Sequence, residues 1–69
     1  MKDLILKYAL KNALDYNGKA NLQSVLGKVL QEKPELKNNI KELAKEINEI
    51  IKKVNSMGKE QQEKEILKF

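Results

Sequence analysis

The sequence predicts an all-α protein: a small bundle of three main helices, followed by a frayed C-terminal helix or linker. Apolar residues recur at intervals of three and four along most of the chain, as they do on one face of a helix. The pair Asn17-Gly18 and the single proline, Pro34, divide this pattern into three stretches. No stretch shows the strict apolar–polar alternation of a half-buried strand.

The first helix is expected to begin at Asp3, which can cap it, and to end at about Asp15 or Tyr16. Asn17-Gly18 should end it, because both residue types tolerate the left-handed conformation found at helix C-termini. Its apolar residues form two adjacent rows that predict one wide buried stripe. These residues are Ile5, Leu6, Ala9, Leu10, Ala13 and Leu14.

The second helix is expected over residues 22–31, with Asn21 as its N-cap. Gly27 lies inside it and costs about 1 kcal/mol relative to alanine. The usual reason for such a glycine is the close approach of another helix, which we therefore expect at this position. The apolar residues of this helix are Leu22, Val25, Leu26, Val29 and Leu30.

The third helix is expected to begin at Pro34, since proline is well placed in a first helical turn, and to end at about Val54 or Asn55. Its apolar residues step by four and three, which would also suit a short heptad seam between two copies. Ala44 and Ile51 widen this seam into a face suited to the core of a single chain, and we favour that interpretation. The apolar series is Leu36, Ile40, Leu43, Ile47, Ile50 and Val54.

The three stripes predict one shared core. A core of this size rarely supplies more than roughly 3–5 kcal/mol without disulfides or metals. Its expected members are Leu10, Leu14, Leu26, Leu30, Ile40, Leu43, Ile47 and Ile50.

Residues 59–69 are nearly all Lys, Glu and Gln until Ile66, Leu67 and Phe69. They have helix propensity but little apolar face, so a mobile, frayed helix or linker is expected. The final apolar residues indicate the start of another segment. The expected organisation is a helical domain over residues 1–58 and, over residues 59–69, a linker or the start of the next segment.

The composition excludes most catalytic chemistry. The chain has no Cys and no His, which removes thiolate nucleophiles and the usual general base. Ser24 and Ser56 have no histidine to activate them, and no glycine-rich phosphate loop is present. We therefore expect no catalytic residue, metal site or cofactor in this chain. The longest apolar runs are three residues, such as Leu4-Ile5-Leu6, so no membrane span is expected and no membrane is expected as a partner. The lack of Cys fits a cytoplasmic location.

Charge is the feature that points to a partner. All 14 basic residues are lysines, against 10 acidic residues, and the basic excess lies mainly in residues 1–33. Lysine is a flexible point charge, which suits contact with a polyanion better than it suits reading base edges. Solubility alone would also explain many lysines in a small helical domain, so charge leaves both interpretations open.

The segment between the first two helices is the strongest candidate site. Gly18 would place Lys19 at the tip of the turn, and Asn21 would open a helix whose first N–H groups are unpaired. A cation beside a helix N-terminus is a natural position for a phosphate. An ordinary helix connection with a solubilising lysine explains the same residues, and the pattern alone favours that simpler explanation.

Several short segments carry a family resemblance: residues 8–13, 17–21, 25–30, 34–36 and 54–56. In order and spacing they resemble the N-terminal helical extension of archaeal-type glutamyl-tRNA synthetases, over residues 3–57. The element Gly18-Lys19-Ala20-Asn21 is also similar to helical tail domains of the tRNA-dependent amidotransferase B subunit, and to the appended domain of eukaryotic glutaminyl-tRNA synthetases. Many of these relatives have a proline after the asparagine, where this chain has Leu22.

The resemblance implies a parent enzyme that attaches glutamate to tRNA using ATP and Mg²⁺. Its catalytic signatures are absent from this chain, so no catalytic residue can be transferred. With only lysines and no evident aromatic stacking platform, the contacts are expected to position tRNA through its phosphates. The resemblance implies RNA contact at Gly18, Lys19, Ala20, Asn21 and Lys28, and the charge distribution adds Lys7, Lys11 and Lys33.

Two other functions stay open. The domain could be a docking module that tethers a synthetase to a protein partner through exposed Leu, Ile or Val side chains. It could also be a free-standing helix-turn-helix DNA-binding protein. The second is the weaker alternative, because a recognition helix without arginine, and with Gly27 in its middle, is poorly equipped to read bases.

Overall fold

The computed structural model describes residues 2–69, which form four α-helices and no strand. α1 spans Lys2–Asp15, α2 Leu22–Glu32, α3 Ile40–Asn55 and α4 Lys59–Ile66, and a 3-10 helix over Pro34–Asn39 precedes α3. α1 packs against the three other α-helices, and α2 also packs against α3. The predicted all-α bundle is confirmed. Within residues 2–69, no helix is both long and apolar enough to cross a membrane.

α1 ends where the sequence predicts. Asn17 and Gly18 both have a positive φ, at 59° and 92°. This turn brings the Gly18 N–H to the Ala13 carbonyl oxygen, at an N···O distance of 2.7 Å. The bond satisfies a carbonyl that the helix itself leaves unpaired, so the turn closes α1 and redirects the chain toward α2.

α2 begins after Asn21, as predicted. The Asn21 backbone is extended, and its side-chain oxygen accepts a hydrogen bond from the Ser24 N–H at 2.9 Å. The expected close approach at Gly27 is wrong. Gly27 is exposed, and a Cβ added there would have no neighbouring atom within 4 Å.

The third predicted helix is two elements. Residues Pro34–Asn39 form a 3-10 helix, and α3 begins only at Ile40, after Asn39 adopts a non-helical backbone conformation. A 3-10 helix has three residues per turn, so the apolar row that begins at Leu36 is not continued onto α3. Ile40 is consequently 44% exposed, and its predicted place in the core is wrong.

The core lies where α1, α2 and α3 meet. Leu10, Leu43 and Ile47 are buried as predicted. Leu14, Leu26, Leu30 and Ile50 are only partly buried. In α2 the shorter, β-branched Val25 and Val29 are fully buried, and Leu26 and Leu30 flank them. Three residues of the predicted heptad seam, Leu43, Ile47 and Val54, are thus buried within the single chain. The buried apolar residues are Ile5, Ala9, Leu10, Ala13, Ala20, Val25, Val29, Leu43, Ile47, Ile51 and Val54.

Residues 59–66 differ from the frayed segment that their composition predicts. They form α4, which packs against α1. Its anchor is polar: Gln62 is fully buried, and its side-chain N–H groups donate to the carbonyl oxygens of Val54 and Gly18, at 2.8 and 3.0 Å. Ile66 also packs against the core. The helical bundle therefore continues past residue 58, while the assignment of residues 59–69 as a connection to another domain stays a prediction.

Candidate nucleic-acid interface

The loop over residues 17–21 is held from behind by α3 and α4. The Asn55 side chain makes a reciprocal pair with Ala20: the Ala20 N–H donates to Asn55 Oδ1 at 2.7 Å, and Asn55 Nδ2 donates to the Ala20 oxygen at 3.2 Å. The Gln62 side chain donates a single hydrogen bond, from Nε2, to the Gly18 carbonyl oxygen. Buried backbone polar groups need such partners, so Asn55 and Gln62 fix the path of the loop.

α1 also holds this loop. The Asn21 N–H donates to Asn12 Oδ1 of α1 at 2.7 Å. From α4, Lys59 Nζ lies 3.5 Å from Asn17 Oδ1. Gly18 and Asn21, two of the predicted RNA-contacting residues, thus have clear structural roles. The Ser24 N–H, expected to be unpaired at the start of α2, is already bonded to the Asn21 side chain. Lys19 remains exposed on this fixed loop.

A cleft of about 320 Å³ lies between α1 and α2. It brings together two of the predicted lysines, Lys11 from α1 and Lys28 from α2, which are both exposed. Ser24 contributes from the first turn of α2 and Asn12 from α1. The complete lining is Tyr8, Lys11, Asn12, Asp15, Tyr16, Ser24 and Lys28.

Tyr8 joins the two walls of this cleft. Its hydroxyl donates to the carboxylate of Glu32, the last residue of α2. That hydrogen bond, followed by burial and the negative charge of Glu32, raises the pKa of Tyr8 above its ordinary value. Lys7 places its ammonium nitrogen 5.8 Å from the centre of the Tyr8 ring, a cation–π distance.

The structure thus separates the predicted site residues. Lys11 and Lys28 share the cleft, whereas Lys7 lies against Tyr8 and is not part of the lining. Lys19 and Lys33 are exposed outside the cleft. Whether any of these lysines contacts RNA stays a prediction.

The sequence pattern missed Tyr16, Asn12 and Asp15 as members of the cleft. A signal was available, because Tyr8, Asn12 and Tyr16 repeat every four residues and residues at that spacing share a helix face. The stronger apolar stripe on the other side of α1 obscures this repeat. No comparable signal indicated Gln62, since a lone glutamine in a charged segment is ordinarily exposed.

The chain is similar in sequence to known proteins. It is 44% identical, over its whole length, to a glutamate–tRNA ligase of Metallosphaera sedula, and 47% identical over 66 residues to one of Thermococcus kodakarensis. A glutamate–tRNA ligase of Pyrococcus furiosus is 42% identical over 66 residues. The chain shares a helical segment with archaeal glutamate–tRNA ligases. The family resemblance that the sequence motifs predict is therefore confirmed.

These matches cover all of the chain for Metallosphaera sedula, and 96% of it for the other two glutamate–tRNA ligases. They cover little of the relatives, because the chain spans about 12% of the length of each. No family model matches the chain, and no solved structure matches it.

Proposed function

We propose that this helical bundle contacts tRNA as part of a glutamate–tRNA ligase, an enzyme that attaches glutamate to tRNA using ATP. The relatives support the proposal, since their names state an activity on tRNA. The proposed location is the cytoplasm, where such a ligase would serve translation. The chemistry of the ligase is assigned to other parts of the protein, because the chain has no Cys and no His, and so no thiolate and no histidine to activate Ser24 or Ser56.

Among residues 2–69, no group of three or more carboxylate, His or Cys side chains comes together to hold a metal ion. We therefore propose that Mg²⁺, and the ATP that the ligase consumes, are held by other parts of the proposed ligase.

The observation that carries the proposal is the pairing of Lys11 and Lys28 across the α1–α2 cleft. The two lysines are distant in sequence, and the fold places them on one surface, with Lys19 on the adjoining fixed loop. Lysines bind phosphates as point charges and release counterions when they do so. Contact of this kind positions an RNA without reading its sequence.

The test is a titration of unmodified tRNA at a series of salt concentrations, using labelled tRNA and the 69-residue chain. The slope of log affinity against log salt should flatten by roughly 0.7–0.9 for each phosphate that a variant no longer neutralises. The double variant Lys11→Glu, Lys28→Glu is expected to bind more weakly and with a slope flatter by roughly 1.5. Lys19→Glu alone should give a smaller change in the same direction.

The matched control is Lys41→Glu, Lys64→Glu. It makes the same change in net charge with two exposed lysines of α3 and α4, which lie outside the cleft and the loop. Little change is expected for this control. Equal weakening in both double variants would show a response to net charge rather than contact at the cleft. A parent chain without salt-dependent affinity for tRNA would refute the proposal, and a protein-docking role would then be the better explanation.

A further inference from the structure

Tyr16 has no role in the core of this protein. It follows the last residue of α1, and 63% of its surface is exposed. It lines the same cleft as Lys11 and Lys28. An aromatic ring beside two cations at a surface cleft is a combination that a flat, anionic ligand can use, because the base of a nucleotide stacks on the ring while its phosphate meets the cations.

From this arrangement we infer that the α1–α2 cleft receives one unpaired nucleotide of the bound RNA, with its base against Tyr16 and its phosphates beside Lys11 and Lys28. The inference rests on the proposed function and adds to it the class of RNA element that is bound. It differs from the expectation, made from the sequence, of a surface without an aromatic stacking platform.

The remaining lining residues suit the sugar and the base edge. Asn12 and Ser24 carry side-chain hydrogen-bond donors, and the Asp15 carboxylate can accept from a ribose hydroxyl or an exocyclic amino group. The volume of about 320 Å³ lies at the lower end of the range for small-ligand sites, which suits a single nucleotide.

Base-paired RNA is a poorer occupant. In a duplex the faces of the bases are covered by their neighbours, so Tyr16 could not stack on one without disrupting the helix. An acidic peptide is also a poorer occupant. It would meet the same lysines, but it would make no use of the Tyr16 ring, on which a base can stack.

The walls of the cleft are held in place without a ligand. The hydrogen bond from Tyr8 to Glu32 ties α1 to the end of α2, and that from Asn21 to Asn12 ties the loop to α1. A cleft fixed in this way loses less conformational freedom when it binds, which favours affinity.

The test compares the parent chain with Tyr16→Leu and Tyr16→Phe. The probes are unmodified tRNA, a single-stranded RNA oligonucleotide and a fully paired RNA duplex of the same length. Because a base loses its stacking partner, Tyr16→Leu should weaken tRNA and single-strand binding about tenfold, while Tyr16→Phe keeps the ring and stays within about twofold of the parent. Because neither variant changes charge, the salt slope should be that of the parent.

Several outcomes separate this inference from the proposed function. If Tyr16→Leu binds tRNA as tightly as the parent, while Lys11→Glu, Lys28→Glu flattens the salt slope, the nucleotide inference is wrong and the tRNA contact stands. An equal loss on duplex and single strand would also overturn the inference. So would a polyglutamate peptide that binds more tightly than the single strand. A parent chain with no salt-dependent affinity for tRNA would refute both the nucleotide inference and the proposed function.

Circular dichroism would verify that each Tyr16 variant is folded, as expected because the Tyr16 side chain is largely exposed.

Discussion

At the scale of single residues, the same substitution should have opposite effects at two glycines. Gly18 has a φ of 92°, a conformation that costs an L-residue about 1–2 kcal/mol, so Gly18→Ala should lower the free energy of unfolding by that amount. Gly27 lies inside α2 with open space beside it, so Gly27→Ala should raise the free energy of unfolding by about 0.5–1 kcal/mol. Urea denaturation of both variants measures this difference. Shifts of the same sign would contradict the assigned backbone conformations.

A second residue-scale prediction concerns Tyr8 and Glu32. The hydrogen bond from the neutral phenol to the carboxylate raises the pKa of Tyr8 in the folded protein. The folded state therefore holds the phenolic proton more tightly than the unfolded state does. The contribution of this bond to stability is complete below the unfolded pKa of about 10, and it is lost as the pH rises through the folded pKa.

Glu32→Gln should lower the folded pKa of Tyr8, because it removes the charged acceptor. Tyr16→Phe provides the background for the measurement, since it leaves Tyr8 as the only tyrosine. The absorbance of the phenolate, followed with pH, then reports on Tyr8 alone. Identical titration curves with and without Glu32→Gln would show that the hydrogen bond is not formed in solution.

At the scale of elements, apolar periodicity located α1, α2 and most of α3, because each buries a stripe of aliphatic side chains. It could not locate α4, whose anchor, Gln62, is a buried polar residue with hydrogen bonds to the carbonyl oxygens of Val54 and of Gly18, the latter far away in the sequence. Periodicity also failed at Pro34–Asn39, because six residues are too few to distinguish a repeat of 3.0 from one of 3.6.

Because Gln62 is buried, we predict that α4 is as well ordered as the other helices. An isolated helix of this length is marginal in water, so its order in the protein must come from docking. Backbone amide order parameters over Lys59–Ile66 should match those of α3 in the parent chain. Gln62→Ala leaves the buried face of α4 without its side-chain hydrogen bonds and the Gly18 carbonyl without its donor, whereas the Val54 carbonyl keeps the bond from the Met57 N–H. This substitution should lower these order parameters and cost about 1–3 kcal/mol of stability.

Gln61→Ala is the matched control, because Gln61 is an exposed neighbour on the same helix. It should change stability by less than about 0.5 kcal/mol and leave the order of α4 intact. Low order parameters over residues 59–66 of the parent chain would contradict the docked helix and favour the mobile segment that the composition predicts.

At the scale of the whole molecule, the candidate site depends on which helix faces meet. The sequence identified Lys11 and Lys28 as basic residues of interest, but only the packing of α1 against α2 places them on one cleft. The repeat of Tyr8, Asn12 and Tyr16 marks one face of α1, but it does not show that Lys28 of α2 lies opposite that face. No local pattern records how two helices are rotated against each other.

The whole-molecule prediction concerns two isoleucines of α3 that the sequence places in one core. Ile47 is fully buried between the helices, whereas Ile40 is 44% exposed at the start of α3. An unpaired charge buried at Ile47 costs roughly 3–5 kcal/mol, which is comparable to the whole stability of a core this small. Ile47→Asp should therefore abolish cooperative thermal unfolding.

Ile40→Asp is the control with the same chemical change. An aspartate at the start of a helix lies at the positive end of the helix dipole, so this variant should stay within about 1 kcal/mol of the parent. Circular dichroism with temperature measures both variants. An Ile47→Asp chain that melts cooperatively like the parent would place the core elsewhere. Loss of cooperativity in Ile40→Asp as well would instead favour one continuous helix from Pro34, with Leu36 and Ile40 on the same buried row.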